Sequence, residues 1–129
     1  MSVEVDGRNN TMTKSHIIDH VHGKLRERNS EITKRQSAEL VECIFQTIKS
    51  EIRSLRDELS QEEGLFAADA QRKPERRLKI SGFGNFIVRY KRSRPGRNPQ
   101  NGQKIAITSR YVLTFKPSSK LKEAINPAQ

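Results

Sequence analysis

The amino-acid sequence predicts an α+β fold in which a two-helix hairpin is followed by an antiparallel β-ribbon and a short closing helix. Apolar residues recur every three or four positions as far as Leu55, which is the period of an amphipathic helix. From Leu78 they alternate with polar residues, which is the period of a half-buried strand. Residues 94–102, dense in proline, glycine and asparagine, divide the strand-forming part into two halves.

The two helices have recognisable starts. Thr13 is a good N-cap residue, and an apolar stripe follows it at Ile17, Ile18, Val21 and Leu25, before a polar break at residues 26–30. Thr33 and Gln36 have the spacing of a capping box, so a second and longer helix is expected there. Residues 1–12 are polar and aperiodic and are expected to be disordered.

The strand-forming halves are expected to pair as one long hairpin. On the first half, one strand face carries Phe86, Val88 and Tyr90, and the opposite face carries Ile87, Arg89 and Lys91. On the second half, five apolar residues at odd-numbered positions share one face: Ile105, Ile107, Tyr111, Leu113 and Phe115. About nine residues at about 3.3 Å each give an arm of roughly 30 Å. Residues 116–125 predict a short closing helix, which Pro127 limits.

Positive charge is concentrated in the second half of the chain. Residues 76–122 carry thirteen Lys and Arg and no acidic residue, whereas the formal net charge of the whole chain is +10. Localised positive potential favours a polyanionic partner through Coulomb steering and counterion release. Nucleic acid is therefore the predicted partner.

Composition narrows the class of protein further. With 129 residues, 33% hydrophobic and 31% charged, the chain suits one domain with a thin core, for which a shared core in an oligomer is plausible. Its one cysteine, Cys43, excludes an internal disulfide, and its apolar neighbours predict a buried, inert thiol. With no apolar run long enough to span a membrane, a soluble cytoplasmic protein is expected.

Signals for catalysis or metal binding are weak. His16 and His20 have helical i, i+4 spacing, but no Cys or carboxylate completes a ligand set with them or with His22, and ordinary helix histidines are favoured. The sequence has no Ser/His/Asp or paired-carboxylate arrangement. We therefore expect no enzyme, no cofactor, no metal and no small-molecule substrate.

The ribbon tip predicts a mechanism. Pro99 lies where neither strand needs its missing N–H, and an apolar wedge flanked by Arg97 and Asn98 suits entry into a DNA minor groove, where it unstacks a base step. The alternative is that Pro95 and Pro99 only shape a loop.

Three motifs in order resemble one protein family. They are Lys79-Ile80-Ser81-Gly82-Phe83-Gly84-Asn85-Phe86, the tip sequence Arg94-Pro95-Gly96-Arg97-Asn98-Pro99-Gln100-Asn101-Gly102, and Val112-Leu113-Thr114-Phe115-Lys116-Pro117. Behind a two-helix hairpin, this combination resembles the bacterial DNA-bending family of HU and integration host factor over residues 13–125. Residues 105–110 and 115–117 resemble the integration host factor alpha subunits more than HU.

The resemblance implies an intertwined dimer with a helical base and a three-stranded antiparallel sheet whose long arms, residues 86–114, embrace double-stranded DNA in the nucleoid. Pro99 would intercalate. The arm contacts implied are Arg89, Lys91, Arg92, Arg94, Arg97, Asn98, Lys104 and Arg110. The phosphate clamp implied on the body is Thr13, Lys14, Lys79, Ser81, Gly82, Lys116, Ser118, Lys120 and Lys122. Free N–H groups at helix starts favour anions at some of these positions.

One segment departs from the family pattern. Relatives pass from the second helix to the first strand in a few residues, whereas residues 56–77 insert about twenty here. Gly64, Leu65 and Phe66 give the insert a small apolar centre, so it could extend the second helix, dock on the body or bind another protein. A solvated loop is the favoured expectation. Residues 126–129 are read as a tail.

The predicted function is architectural: the dimer binds duplex DNA, bends it and helps condense the chromosome. One alternative is a site-preferring regulator of recombination or transcription that acts as one subunit of a heterodimer. Another is an RNA or single-strand binder, against which the few exposed aromatic residues count. A third is a protein-interaction module centred on Leu65 and Phe66.

Overall fold

The protein is described by a computed structural model that covers residues 11–69 and 71–127, so most of the predicted N-terminal extension and the last two residues of the predicted tail lie outside it. The chain forms two compact units, one ending at Lys49 and the other beginning at Ser50. The elements in chain order are α1 (Lys14–Arg28), α2 (Lys34–Gln61), α3 (Glu63–Ala68), β1 (Glu75–Ile80), β2 (Gly84–Lys91), β3 (Arg94–Arg97), β4 (Lys104–Ile107), β5 (Arg110–Pro117) and α4 (Ser119–Ile125). Within the described ranges, no helix combines the length and the apolar character needed to cross a bilayer.

Both predicted helix starts are confirmed. The Thr13 N–H donates to Nδ1 of His16 at 3.0 Å. At α2 the capping box is reciprocal, because the Gln36 N–H donates to Oγ1 of Thr33 at 3.1 Å and the Thr33 N–H donates to Oε1 of Gln36 at 2.9 Å. Helix α1 continues to Arg28, into the predicted polar break.

The first unit pairs α1 with the early part of α2 through one part-buried hydrogen bond and one exposed ion pair. Ser37 is fully buried, and its hydroxyl lies 3.0 Å from Nδ1 of His22. An ion pair joins Lys34 and Asp19 with 2.6 Å between the charged atoms, and it holds the pKa of Asp19 below its ordinary value. These contacts fix the two helices against each other.

An apolar face of this unit remains exposed. Leu40 is 49% and Ile44 59% exposed, and Ile17 on α1 is also exposed. Cys43 lies next to Ile44 and is exposed as well. The prediction of a buried thiol is therefore wrong for this chain, because Leu40 and Ile44, which were expected to help cover Cys43, are themselves exposed, although Val41 is buried.

The second unit contains a three-stranded antiparallel sheet in the order β1-β2-β5. Phe86 pairs with Phe115, Val88 with Leu113, and Tyr90 with Tyr111. Because directly opposed residues share a face, this register confirms the predicted faces of both strands. Strand β1 begins at Glu75, three residues before the first predicted strand position.

The predicted ribbon is present but interrupted. Strands β2 and β5 pair as far as Lys91 and Arg110, and β3 and β4 resume pairing between Arg94 and Ile107. Two residues separate the paired segments on each side, so the register continues across the gap without a bulge. The arm therefore consists of a base ladder and a tip ladder in one continuous register.

The expectation of a solvated loop at residues 56–77 is wrong. Helix α2 continues to Gln61, and α3 follows it after one residue. Leu59 and Phe66 are buried with Val88 of β2, and Ile52, Leu55, Tyr90 and Tyr111 pack around them. Apolar burial explains the difference, because Leu59 and Phe66 cover a strand face that the thin core would otherwise leave open.

Polar contacts fasten this segment to the sheet. One guanidinium nitrogen of Arg76 donates to Oε1 of Glu62 at 2.6 Å. The Tyr111 hydroxyl donates to the Glu63 carboxylate, and burial together with this contact raises the pKa of Tyr111. The buried Oε2 of Glu62 accepts no hydrogen bond and has the Arg72 guanidinium 3.8 Å away. The insert is thus a docked part of this unit.

The closing helix is shorter than predicted. It begins at Ser119, and Lys116 and Pro117 belong to β5. Ser118 is its N-cap, with Oγ accepting from the Leu121 N–H at 3.1 Å. The Ser118 N–H donates to the Phe83 carbonyl at 2.9 Å, so the start of α4 lies against the β1–β2 turn.

Candidate nucleic-acid interface

The tip of the ribbon is a loop organised by Asn98. Its N–H donates to the Gln103 carbonyl at 2.8 Å, which ends the ladder, and its carbonyl accepts from the Gly102 N–H at 2.7 Å. Its Oδ1 also accepts from the Gln100 N–H at 2.9 Å. Gly102 has φ +70, where a side chain would be strained. The side chain of Asn98, predicted to contact DNA, therefore holds the loop in this structure.

Pro99 is exposed beyond the last paired residues. The cross-strand hydrogen bond before it is made by the Asn98 N–H, so the missing N–H of Pro99 interrupts no pairing of the ladder. The structure thus presents a rigid apolar ring at the end of the arm, directly after Arg97.

Two positions on the ribbon place like charges directly opposite each other. Lys91 pairs with Arg110 at the end of the base ladder, and Arg97 pairs with Lys104 at the end of the tip ladder. Like charges in directly opposed positions destabilise a sheet unless an anion lies between or near them. Across residues 11–69 and 71–127, no carboxylate forms an ion pair with any of these four cations. Residue identity alone did not reveal this pairing, because it depends on the register.

Arg94 is a further exposed cation of the tip ladder, where it lies opposite Ile107. Arg89, in contrast, is engaged within the chain. It donates to Oε2 of Glu75 at 3.1 Å, and Arg77 donates to Oε1 of the same carboxylate at 3.1 Å. Hydrogen bonds from Arg77 and then Arg89 hold the pKa of Glu75 below its ordinary value, against the opposing effect of partial burial.

Arg92, which is predicted to contact DNA, has hydrogen-bond partners within the chain in this structure. Its guanidinium donates to the carbonyls of Phe66 at 3.0 Å, Asp69 at 2.9 Å and Arg72 at 3.1 Å. These carbonyls include orphan acceptors at the end of α3. In this structure Arg92 therefore fastens the insert to the ribbon, at the point where strand pairing is interrupted.

Part of the predicted body clamp is brought together. Ser81 and Gly82 lie in the β1–β2 turn after Lys79, and Gly82 has φ +76. A Cβ on Gly82 would lie 3.9 Å from Cδ of Lys120, so the turn and the start of α4 are neighbours. Ser118, at that helix start, completes a small polar and basic surface.

The remaining clamp residues are more dispersed. Lys116 is exposed on β5 opposite Asn85, and Lys122 lies in the last turn of α4. Thr13 and Lys14 belong to the other compact unit. Lys14 forms an ion pair with Glu42 there, and its ammonium group holds the pKa of that carboxyl below its ordinary value.

His16 and His22 have ordinary structural partners. His16 accepts the hydrogen bond that caps α1, and His22 contacts Ser37. Throughout the described ranges, no three His, Cys, Asp or Glu side chains are grouped so that they could hold a metal ion.

The chain is similar to known bacterial DNA-binding proteins in sequence and in fold. Residues 65–126 match the family model described as bacterial DNA-binding protein. The chain is 44% identical over 115 residues to the integration host factor subunit alpha of Anaeromyxobacter sp. strain Fw109-5, covering 89% of this chain and 91% of that protein. It is equally similar to the subunit of the same name from Anaeromyxobacter sp. strain K, of which it covers 80%.

Among solved structures, the fold is similar to that in an Anabaena HU–DNA cocrystal structure. The TM-score is 0.51 and the sequence identity 20%, over 91% of this chain and 100% of that one. At this identity, the likeness concerns the fold.

Proposed function

Because the chain belongs to the HU and integration host factor family of bacterial DNA-binding proteins, we propose that it binds duplex DNA and bends it. Its role is architectural and involves no chemical conversion of a substrate. The ribbon arm follows a groove of the duplex, and the surface formed by residues 79–82 and 118–120 contacts backbone phosphates beside it. In the cell the protein acts at the nucleoid.

The cross-strand cation pairs carry this proposal. Lys91 opposite Arg110 and Arg97 opposite Lys104 cost stability in the free protein. An anion bound close to both cations of a pair attracts each of them, so the pair then stabilises the complex. Because the two pairs lie on one continuous ribbon register, a linear polyanion satisfies both, and duplex DNA carries one charge per about 1.7 Å of its axis.

We further propose that Pro99 bends the duplex by entering a base step from the minor groove. Its support is the exposed position of the ring beyond the ladder and the loop that Asn98 holds in shape. The cost of unstacking, a few kcal/mol per step, is offset by the additional phosphate contacts that a bent duplex makes. Arg97, adjacent to the proline, is the proposed groove contact.

The functional unit is proposed to be a dimer. Each compact unit exposes apolar side chains that a second subunit would cover, including Leu40 and Ile44 in the first and Leu113 and Phe115 in the second. Burial of such surface is the main favourable contribution to association. A homodimer and a heterodimer with a related subunit are both compatible with this surface.

A second candidate is a site-preferring regulator that works as one subunit of a heterodimer. It is favoured by one observation, the similarity to proteins named integration host factor subunit alpha. A protein-interaction module centred on both Leu65 and Phe66 has less support, because Phe66 is 1% exposed.

Binding and bending by the purified chain would test these functions. Random, A-tract and pre-kinked duplexes are titrated at two salt concentrations, with end-to-end fluorescence transfer as the measure of bending and single strands as competitors. Similar affinity on all duplexes with bending supports an architectural dimer. Binding to one sequence, or only after a second subunit is added, favours the regulator, whereas preferential binding to single strands contradicts both.

A further inference from the structure

The insert creates a cleft beside the base of the arm. Its volume is about 680 Å³, and residues 71–74 form one wall while β1, β2 and the start of β3 form the other. The insert contributes Arg72 and Lys73 to the lining. The strand side contributes five further cations, Arg77, Arg89, Lys91, Arg92 and Arg94. Among the residues that the structure describes, Glu75 is the one carboxylate in this lining.

The cations of the cleft fall into two groups, those that already have a partner within the chain and those that form no ion pair among the described residues. Arg77 and Arg89 share Glu75, Arg92 is bound to carbonyls, and Arg72 has Glu62 3.8 Å away and the Phe66 ring 5.9 Å below its guanidinium. In contrast, Lys73, Lys91 and Arg94 form no ion pair within the described part of the chain. The cleft therefore has an uncompensated positive charge contributed from both of its walls.

The two walls are held in fixed register. The Tyr90 N–H donates to the Pro74 carbonyl at 3.0 Å, which extends the β1–β2 ladder into the insert. Arg92 joins the same strand side to the carbonyls of the insert, including that of Arg72 at 3.1 Å. A site whose walls are already fixed loses little conformational entropy when an anion binds.

We propose that this cleft binds backbone phosphates of the duplex, with Lys73 supplying a contact that the insert adds to the arm. The inference rests on the proposed duplex binding and specifies a further part of its footprint. The reason is continuity: Lys91 and Arg94 line the cleft and also belong to the ribbon, so a phosphate chain that follows the ribbon base reaches Lys73 without leaving positive potential.

The test is the salt dependence of duplex binding by Lys73→Gln. This exposed side chain has no ion-pair partner in the structure, so the fold should be retained, which circular dichroism checks. Loss of one phosphate contact lowers the slope of log K against log salt concentration by about 0.9. The affinity deficit of the variant should therefore shrink about 3.5-fold between 50 and 200 mM salt. Lys73→Glu should weaken binding further.

The matched control is Lys24→Gln, which removes one exposed lysine charge from α1 in the other compact unit. It should leave the slope unchanged. Equal slopes for Lys73→Gln and wild type, or equal changes in Lys73→Gln and Lys24→Gln, would overturn the inference.

Two further outcomes separate it from competing explanations. If inorganic tripolyphosphate raises the melting midpoint of wild type but not of Lys73→Gln, while the DNA slope stays unchanged, the cleft is a small-anion site and the inference is wrong. If wild type binds and bends duplexes and Lys73→Gln has the same salt slope, the cleft assignment is wrong while the proposed function stands. If wild type neither binds nor bends, the proposed function itself fails, and the inference with it.

Discussion

At the scale of single residues, Glu75 limits the positive charge available near the base of the arm. It accepts hydrogen bonds from Arg77 and Arg89 and is the one acidic residue in the cleft lining. Without it, two guanidinium groups would lie close together with no counter-charge. The residue therefore stabilises the free protein while it reduces the charge offered to a polyanion.

Glu75→Gln should show this as a change in the pH dependence of stability. The folded pKa of Glu75 lies below the ordinary value of 4.5, so its contribution is complete above that pH and is lost as the pH falls through the folded pKa. At pH 7 the free energy of unfolding of wild type should exceed that of the variant by about 0.5–1 kcal/mol, since the ion pairs of Glu75 with Arg77 and Arg89 are partly exposed. Urea unfolding at pH 7, 5, 4 and 3 measures the difference, and a constant difference would exclude this charge effect.

Pro99→Ala should reduce bending more than binding. The substitution removes the apolar ring but leaves every cation of the ribbon in place. Binding is measured by titration and bending by fluorescence transfer between the duplex ends. Pro95→Ala is the matched control, because Pro95 lies within the tip ladder opposite Ala106. Equal bending by wild type and Pro99→Ala would remove the wedge role.

At the scale of elements, α3 shows how a short helix is held by packing. Six residues are too few for a helix to be stable alone. One side of α3 packs Phe66 against Val88 and Tyr90, and its carboxyl end is bound by Arg92. Packing on a strand face and the hydrogen bond from Arg92 to the Phe66 carbonyl thus replace length as the source of its stability.

Phe66→Ala should destabilise the protein by about 3–5 kcal/mol, since a fully buried aromatic ring is lost and a cavity remains. Leu65→Ala, its neighbour at 53% exposure, should change stability by less than about 1 kcal/mol. Chemical denaturation measures both variants. Similar losses in the two would mean that α3 is not docked through Phe66.

Two glycines should respond in opposite directions to alanine. A Cβ at Gly84 would lie 2.6 Å from the Lys116 carbonyl oxygen and 2.6 Å from the Phe115 ring, so Gly84→Ala should cost about 1–3 kcal/mol. A Cβ at Gly23, within α1, would meet no heavy atom of the described residues within 4 Å apart from its own chain neighbours and nearby helix backbone, so Gly23→Ala should stabilise the protein by up to about 1 kcal/mol. A melting midpoint that is not lowered by Gly84→Ala would contradict the close β2–β5 approach, and one that is lowered by Gly23→Ala would contradict the open space at that position.

At the scale of the whole molecule, charge and apolar surface are arranged for partners. The ribbon carries cations without ion-pair partners among the described residues. The buried core is small, and apolar side chains remain exposed on both compact units. The free chain therefore leaves electrostatic and hydrophobic free energy unrealised, and association with DNA and with a second subunit would recover it.

Replacing Arg89 and Lys91 together by Ala should weaken binding to all duplex sequences and reduce the salt slope by up to about 1.8, for two phosphate contacts. Lys91 lies opposite Arg110, so its loss also relieves repulsion in the free protein. Titrations on random and A-tract duplexes at several salt concentrations measure the slope. An unchanged slope would remove both residues from the footprint.

Much of this organisation was predictable from the sequence because local rules govern it. Capping residues at Thr13 and Thr33 specified both helix starts, and alternation around Val88 specified the strand faces. The docking of residues 62–74 was not predictable, because it depends on Phe66 meeting Tyr90 across a long sequence separation. For the same reason, the sequence marked Arg92 as a cation but did not identify the carbonyls that bind it.

The interruption at residues 92–93 and 108–109 divides the ribbon into two ladders that can open separately. Amide hydrogens of β3 are therefore expected to exchange with solvent when the four residue pairs of the tip ladder open, whereas those of β2 that face β5 exchange only when the eight residue pairs between β2 and β5 separate. We therefore expect the tip to open as a cooperative unit of its own while the base ladder stays paired. If the tip becomes ordered when the arm binds DNA, the entropy lost contributes to the free energy of binding and not to that of folding.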